Sequence, residues 1–241
     1  MENESLAATR WTLVVAAARL DESAPAIRAL AELCQTYWPP LYAYLRRQGY
    51  DTHDAEDLTQ EFFSRLLAKN YLADADPAKG RFRSFLLASL KHFLSNQRDR
   101  SRAQKRGGGQ PMIALDALTA EARARIEPAD NSTPDKAYDR QWALTLLDQA
   151  LRRLRREYAT AGREELFDNL KIFLTADAAS ALSHAEIGVK CGMSEGAVKV
   201  AAHRLRRRYR DLLREEVAQT VSSPEEVEGE IRELFAAFQP G

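Results

Sequence analysis

The segment Ser183–Arg210 constrains the fold of this chain more than any other part of its sequence. It carries the pattern of two helices joined by a tight turn, with Gly192 where the backbone needs a positive φ that a residue without a Cβ adopts easily. Gly188 is small where the two helices cross, and Ser194 can cap the second helix through its hydroxyl. These features predict a helix-turn-helix, a motif whose second helix lies in the DNA major groove.

The second predicted helix has an apolar side and a basic side. At about 100° per residue, Val198, Ala202 and Leu205 cluster on one side, and Val200 points away from it. The run Lys199–Arg210 contains six Lys or Arg residues and no acid. Such a run is often only a solvated face, but after a cap and a tight turn it favours contact with DNA phosphates. The residues predicted to face DNA are Glu195, Gly196, Lys199, His203, Arg204, Arg207 and Arg210.

The charges of the chain are balanced overall but segregated along the sequence. The 241 residues include 35 basic and 35 acidic side chains, so net charge predicts no partner. The stretch Asp51–Glu61 holds five acids and no Lys or Arg, whereas Arg98–Arg106 holds five bases and one acid. Seven acids and one base lie in Glu215–Glu233. This segregation predicts different surfaces for different partners.

Cysteine content and hydropathy predict a soluble cytoplasmic protein. Cys34 and Cys191 are the only cysteines and form no CxxC motif, so both are expected to be reduced, buried thiols. The nearly apolar run Trp11–Ala18 is too short to span a bilayer, and Glu2 and Glu4 ahead of it are unlike a signal peptide. No membrane partner is expected.

The composition predicts an all-α fold. Helix formers such as Ala, Leu, Arg and Glu dominate, and alternation of β-branched residues is absent. Helices are predicted at 25–37, from the Pro39–Pro40 pair to Gly49, from Thr52 or His53 to Lys69, from Phe82 to about Arg102, from Tyr138 onward, and at 163–174.

Glycine and proline content divides the chain into two small helical domains joined by a flexible linker. Three glycines at 107–109 end the first helical region, and residues 107–137 form the linker, with room for a short helix at 115–125. The predicted domains are 1–106 and 138–216, the second with the helix-turn-helix. An acidic amphipathic tail, 217–241, is expected to pack on the second domain or to mask it. The apolar face predicted for the tail consists of Val227, Ile231, Leu234, Phe235 and Phe238.

The block DAEDLTQEFFSRLL at Asp54–Leu67 predicts a helix with an acidic outer side. Ala55, Leu58, Phe62 and Leu66 form the inward stripe. The outer side suits either solvent or the docking of a basic protein, and the spacing leaves both open. Its polar residues are Asp57, Gln60, Glu61 and Ser64.

The next predicted helix interleaves aromatic and cationic residues. Phe82, Phe85 and Phe93 alternate with Arg81, Arg83, Lys91 and His92, and the basic stretch 95–106 follows. Unstacked bases pack on aromatic faces while phosphates meet cations, so this composition suits single-stranded DNA. The phenylalanines fit a hydrophobic core equally well.

Taken together, these blocks resemble the extracytoplasmic-function (ECF) sigma factors of bacterial RNA polymerase. DAEDLTQEFF is similar to the part of region 2 that binds a coiled coil of the largest polymerase subunit, and the helix-turn-helix is similar to region 4, which reads the −35 element. The resemblance covers about 33–106 and 139–216. It implies polymerase contacts by Asp57, Gln60 and Glu61. It implies −10 DNA contacts by Phe82, Phe85, Lys91, His92, Asn96, Arg98 and Arg100.

The sequence departs from the family's pattern at several positions. Lys91-His92 stands where Arg-Asn is common, Asn96 replaces an Asp, and Leu154-Arg155 replaces Leu-Pro. An insert at about 159–178 precedes the helix-turn-helix. These departures predict an unusual −10 preference and an unusual −35 docking geometry.

The resemblance implies a transcription initiation factor with core RNA polymerase and promoter DNA as partners, and leaves an anti-sigma factor open as a third. A conventional helix-turn-helix regulator explains 183–210 equally well but not the DAEDLTQEFF block. An enzyme is the remaining alternative, because His53-Asp54 resembles a metal-dependent phosphohydrolase motif. The chain has only three other histidines, and 107–109 lacks the Lys-Ser/Thr of a phosphate loop. No catalytic residue, metal or cofactor is therefore expected.

Overall fold

The computed structural model describes residues 24–68, 81–103, 133–175, 183–221 and 223–239, and every regular element within these ranges is a helix. The predicted all-α fold is confirmed for this part of the chain. The predicted linker lies mostly outside the described residues, as does its short helix. The elements are α1 (Ala24–Arg47), α2 (Thr52–Ala68), α3 (Phe82–Ala103), α4 (Pro134–Thr160), α5 (Glu164–Leu170), α6 (Ile172–Thr175), α7 (His184–Cys191), α8 (Glu195–Ala218), a 3₁₀ turn (Pro224–Glu226) and α9 (Val227–Ala236).

The chain divides into two compact units whose limits differ from the predicted domains. The first unit comprises residues 1–145 together with 217–241, and the second comprises 146–216. The tail therefore belongs with the first unit, although packing against the second domain was the favoured prediction. The long helix α4 begins in the first unit and ends in the second.

The first unit is held together by a cluster of buried aromatic rings. Tyr37 of α1 stacks on Trp142 of α4 with ring centroids 4.7 Å apart and an interplanar angle of 15°. Phe82 of α3 meets the Tyr37 ring edge-on at 5.1 Å. These side chains are at most 1% exposed, so three helices distant in sequence share one core. Paired rings in such geometry add to the free energy gained by burying their area.

Helix α1 continues through Pro39 and Pro40, so the predicted break at this pair is wrong. Proline removes a backbone donor and crowds the preceding turn, which is why the pair predicts an interruption. Tyr37 before the pair and Leu41 and Tyr42 after it are all buried. Packing on both sides of the pair therefore outweighs the lost backbone hydrogen bonds.

A buried arginine ties the tail to the first unit. The Arg83 Nε donates to Glu230 Oε1 at 2.7 Å, and its Nη2 donates to Glu233 at 3.1 Å. Its Nη1 pairs with Asp139 of α4. Arg81 joins the same group, with its Nη1 2.8 Å from Glu230 Oε2. The Arg83 side chain is 10% exposed and that of Glu230 only 1%, so the charges are balanced within the protein rather than by water.

This ion cluster changes which side of α9 faces inward. Glu230, Leu234 and Ala237 are buried, whereas Phe235 and Phe238, predicted on the apolar face, are exposed. The inward side is rotated because the guanidinium of Arg83 requires a carboxylate partner away from water. The hydrogen bond from Arg81 holds the pKa of Glu233 below its usual range.

Both cysteines are free thiols, but they differ in environment. Cys34 is buried, and burial raises the pKa of its thiol to about 12. Cys191 is half-buried, so the prediction of a buried thiol is wrong at that position, where α7 ends at the surface of the second unit.

Replacement of Glu230 by Gln should destabilise the first unit. The substitution leaves the buried Arg83 guanidinium with Asp139 and Glu233 alone, and breaking a buried ion pair typically costs about 3 kcal/mol or more of unfolding free energy. Denaturant unfolding followed by circular dichroism on the full chain measures this loss. Glu225→Gln, at an exposed position of the same tail, is the matched control and should change stability little. Equal stabilities of the two variants would contradict the structural role of the cluster.

Candidate protein and nucleic-acid interfaces

Helix α7 begins with a reciprocal cap. The Ser183 hydroxyl accepts a hydrogen bond from the Glu186 backbone N–H at 3.2 Å, and the Glu186 carboxylate accepts one from the Ser183 N–H at 2.7 Å. The hydrogen bonds that the Ser183 N–H and hydroxyl donate to this carboxylate hold the pKa of Glu186 below its usual range. The sequence analysis missed this cap, although Ser-x-x-Glu before a helical run is its recognised signal.

The turn between α7 and α8 has the predicted backbone geometry. Gly192 has a φ of 63°, in the left-handed region, and the Met193 N–H donates to the Gly188 carbonyl at 2.9 Å. A Cβ at Gly188 would lie 2.6 Å from the Met193 carbonyl oxygen, so a small residue is required there. The Ser194 hydroxyl accepts from the Ala197 N–H at 3.3 Å, which is the predicted cap of α8. The structure thus explains each of these residue types.

Helix α8 separates an apolar side from an exposed side, as its sequence predicts. Val198, Ala202 and Leu205 are fully buried. Every residue predicted to face DNA is exposed, and together these residues define the basic face: Glu195, Gly196, Lys199, His203, Arg204, Arg207 and Arg210.

The arginines of α8 differ in what they contact. Arg208 donates to both carboxylate oxygens of Glu157, at 2.9 and 2.6 Å, and these hydrogen bonds raise its pKa above the usual range. Arg206 donates from Nε to the Phe173 carbonyl at 3.1 Å. Arg204 and Arg207 have no hydrogen-bond or ion-pair partner among the described residues. Arg210 donates from Nε to the Arg206 carbonyl at 3.4 Å. Three arginines of this run therefore have a partner within the second unit, whereas Arg204 and Arg207 are left available to an anion.

The basic face includes one acidic residue, which lies at the start of α8 and pairs with a neighbouring lysine. The Glu195 carboxylate lies 2.6 Å from the Lys199 Nζ, one turn further along the exposed side of α8. This hydrogen bond holds the pKa of Glu195 below its usual range, so the carboxylate is ionised near neutral pH. The first turn of α8 therefore presents both an acceptor and a cation.

In the first unit, the outer side of α2 is only partly open. Asp57 is about half exposed, with its carboxylate 3.0 Å from the His53 Nδ1. Glu61 is paired with Arg65 and also accepts from the Gln97 Nε2 of α3 at 2.5 Å. Glu61 therefore links α2 to α3, whereas Asp57 offers the more accessible carboxylate. Gln60, which lies between Asp57 and Glu61 in the sequence, is half-buried.

Helix α3 places the predicted −10 residues in different environments. Phe82 is fully buried in the aromatic cluster, which corrects its assignment to base stacking: its ring faces other rings, not solvent. Phe85 is half-buried, 5.8 Å from the Phe82 ring. His92 and Asn96 are exposed. The residues Arg98 and Arg100 lie on the helix, but their side chains lie outside the described portion.

Lys91 combines exposure with two contacts. Its ammonium group pairs with Asp135 at the start of α4 and lies 5.8 Å from the centre of the Tyr44 ring. The hydrogen bond to Asp135 raises the pKa of Lys91. Lys91 therefore stays charged near neutral pH, and an anion that binds it must compete with Asp135.

Two further properties concern only the described ranges. They contain no group of three or more His, Cys, Asp or Glu side chains arranged to hold a metal ion. Within the same ranges, none of the helices combines the length and the apolar character that crossing a membrane requires.

Part of the first unit matches a known protein family. Residues 33–106 match the family Sigma-70 region 2, the range in which the sequence analysis placed this region. The chain is also 29% identical over 195 residues to the ECF RNA polymerase sigma factor SigE of Mycolicibacterium smegmatis. Over these ranges the chain is similar to the ECF-type sigma factors.

The similarity to this relative is broad but incomplete. The aligned residues cover 80% of this chain and 64% of the relative, so the chain spans less than two thirds of the length of the curated protein it matches. No solved structure matches the chain. The region 2 match includes α2 and α3, whereas α7 and α8 lie beyond it.

Replacement of Gly188 by Ala should destabilise the second unit. The added Cβ meets the Met193 carbonyl oxygen at 2.6 Å, and this backbone cannot move without disturbing the turn. Overpacking of this kind typically costs about 1–3 kcal/mol. Thermal unfolding of the full chain measures the change.

Gly196→Ala is the matched control, because a Cβ at that exposed helical position meets nothing within 4 Å. Alanine is a better helix former than glycine, so this variant should keep or raise the stability. A Gly188→Ala protein as stable as the Gly196→Ala protein would show that the close approach is unimportant.

Proposed function

We propose that this chain is a promoter-specificity subunit of RNA polymerase, acting in the cytoplasm. The proposal rests on one observation above others: a Sigma-70 region 2 and a capped helix pair with an exposed basic face occur on the same chain, in separate compact units. A conventional helix-turn-helix regulator needs the capped helix pair with its basic face but needs no Sigma-70 region 2. The proposal assigns no chemical step to the chain itself.

In this proposal, α2 docks on core polymerase through Asp57, Gln60 and Glu61. Asp57 carries most of the electrostatic attraction, since Glu61 is already paired within the unit. Complementary charge at such an interface steers association and excludes wrong partners. The accessible carboxylate of Asp57 is the feature that supports docking on a basic surface.

In the same proposal, the basic face of α8 docks in the major groove of the −35 duplex. Arg204 and Arg207 contact phosphates, because they are exposed and lack a partner among the described residues. Lys199, His203 and Arg210 lie on the same side of the helix. Residues near its start, Glu195 and Gly196, approach the base edges, as is usual for the N-terminal part of a recognition helix.

The −10 contacts are proposed on the exposed part of α3. With Phe82 in the core, the base-stacking role passes to Phe85, whose ring is half-buried. The exposed side chains of His92 and Asn96 supply hydrogen bonds, and Lys91 supplies a cation. The basic end of the helix, with Arg98 and Arg100, follows the strand backbone. Stacking and backbone contacts of this kind bind separated strands without duplex readout.

The decisive experiment is transcription with purified components. Core polymerase plus the full-length chain should start RNA synthesis at discrete sites on genomic template, without another specificity factor. The sites should share a −35 and a −10 sequence. Specific DNA binding by the chain with no start sites would instead establish a conventional regulator and refute the proposal.

Arg207→Ala should weaken binding to −35 duplex and flatten its salt dependence. Loss of one phosphate contact lowers the slope of log K against log salt by about 0.9. Filter-binding titrations of the full chain across a salt series measure this slope. Arg152→Ala, which removes an exposed arginine of α4, should leave the slope unchanged. An unaltered slope for Arg207→Ala would remove this residue from the phosphate contacts.

Asp57→Arg should abolish association with core polymerase while leaving the fold intact, because the Asp57 side chain is half exposed and its partner His53 is largely exposed. Co-purification with tagged core enzyme measures association, and circular dichroism checks the fold. Asp148→Arg, with the same charge change at an exposed position of α4, is the control and should still co-purify. Normal co-purification of Asp57→Arg would place the docking surface elsewhere.

A further inference from the structure

The basic face of α8 contains one apolar side chain that folding does not explain. Val200 is 51% exposed, although the other large apolar residues of this helix turn inward. It lies about 200° around the helix from the fully buried Val198, on the side opposite the core. It therefore lies on the basic face, between Arg207 at about 180° and Arg204 at about 240° from Val198.

The neighbours of Val200 make this position accessible. Gly196 precedes it by one turn, and a Cβ there would meet nothing within 4 Å, so the helix surface is open on that side. Arg204 follows by one turn and lies about 40° to one side of Val200 around the helix axis, while His203 and Arg207 lie about 60° and 20° to the other side. These residues are exposed as well. A partner that approaches this face can therefore contact the Val200 methyl groups, with the open helix surface at Gly196 on one side and the basic side chain of Arg204 on the other.

Local helix stability does not account for a valine at this position. A β-branched side chain loses rotamer freedom in a helix, and an exposed one gains little from burial. Arg or Lys would suit both the helix and the surrounding charge better. A residue at odds with its local environment is a candidate for contact with something outside the chain.

The major groove offers one apolar feature to such a side chain. Thymine carries a C5-methyl group there, whereas cytosine presents an amino group and the purines present N7 with O6 or an amino group. Apolar side chains contact the thymine methyl in known complexes. We propose that Val200 contacts the C5-methyl group of one thymine in the −35 duplex and thereby selects T at that position. This inference rests on the proposed function, since it assumes that α8 enters the groove.

The surrounding charges fix the register of this contact. Arg204 and Arg207 hold the phosphates, so the helix cannot rotate to move Val200 away from the base edges. The open surface at Gly196 lets the first turns of α8 approach the groove closely. The contact between the Val200 methyl groups and the thymine C5-methyl group then selects the base. The basic side chains contribute affinity that does not depend on the DNA sequence.

The test replaces thymine by deoxyuridine, which keeps base pairing and removes only the methyl group. Duplexes are first selected from a random pool by the full-length chain, alone and bound to core polymerase. Each thymine of the selected −35 sequence is then replaced in turn. We expect one position at which the replacement weakens binding about fourfold, the effect of burying one methyl group. The Val200→Ala variant should bind the duplex that keeps thymine at this position more weakly than the wild-type chain does. For this variant, replacing that thymine by deoxyuridine should leave the affinity unchanged.

Val189→Ala is the matched control, because Val189 is the other exposed valine of the α7–α8 segment, at 85% exposure. This variant should keep the wild-type sensitivity to deoxyuridine. If Val200→Ala retains full sensitivity at every thymine, the inference is overturned while the proposed function stands. If the wild-type chain selects no duplex sequence in either state, the proposed function itself fails.

Discussion

The guanidinium of Arg83 must find negative charge inside the first unit, and much of the architecture there follows from this requirement. Its partners come from two other helices, Asp139 from α4 and Glu230 and Glu233 from α9. A buried cation without such partners would be strongly unfavourable. The tail is therefore part of the unit that contains the region 2 match, and it cannot be treated as an extension of helices α7 and α8.

The second unit also pairs some of its arginines with acidic residues and leaves others exposed. Arg208 is held by Glu157 and Glu215, and Arg153 by Glu215 and Glu216, so acidic residues near the end of α8 are neutralised within the unit. Arg204, one turn before Arg208 on α8, and Arg207 are left without such partners among the described residues. One run of basic residues thus contains both structural arginines and a surface suited to an anion.

The sequence predicted local features well and long-range environments poorly. The turn at Gly192, the cap at Ser194 and the exposed face of α8 all follow from a few neighbouring residues, and the structure has each of them. The break at Pro39–Pro40 did not form, because core packing on both sides of the pair holds α1 together. Phe82 was as consistent with a core as with a base-stacking role, and only its contact with Tyr37 decides between them.

By itself, the sequence determined the helical class, the turn before α8 and the segment that matches region 2, since these depend on backbone preferences and on the order of residues along one helix. The tertiary structure decided which charges and rings are buried. Arg83 and Glu230 are 147 residues apart, and no local pattern indicates that they pair. Burial depends on which distant helices meet, so whether an arginine is a buried structural ion or an exposed cation becomes visible only after the chain has folded.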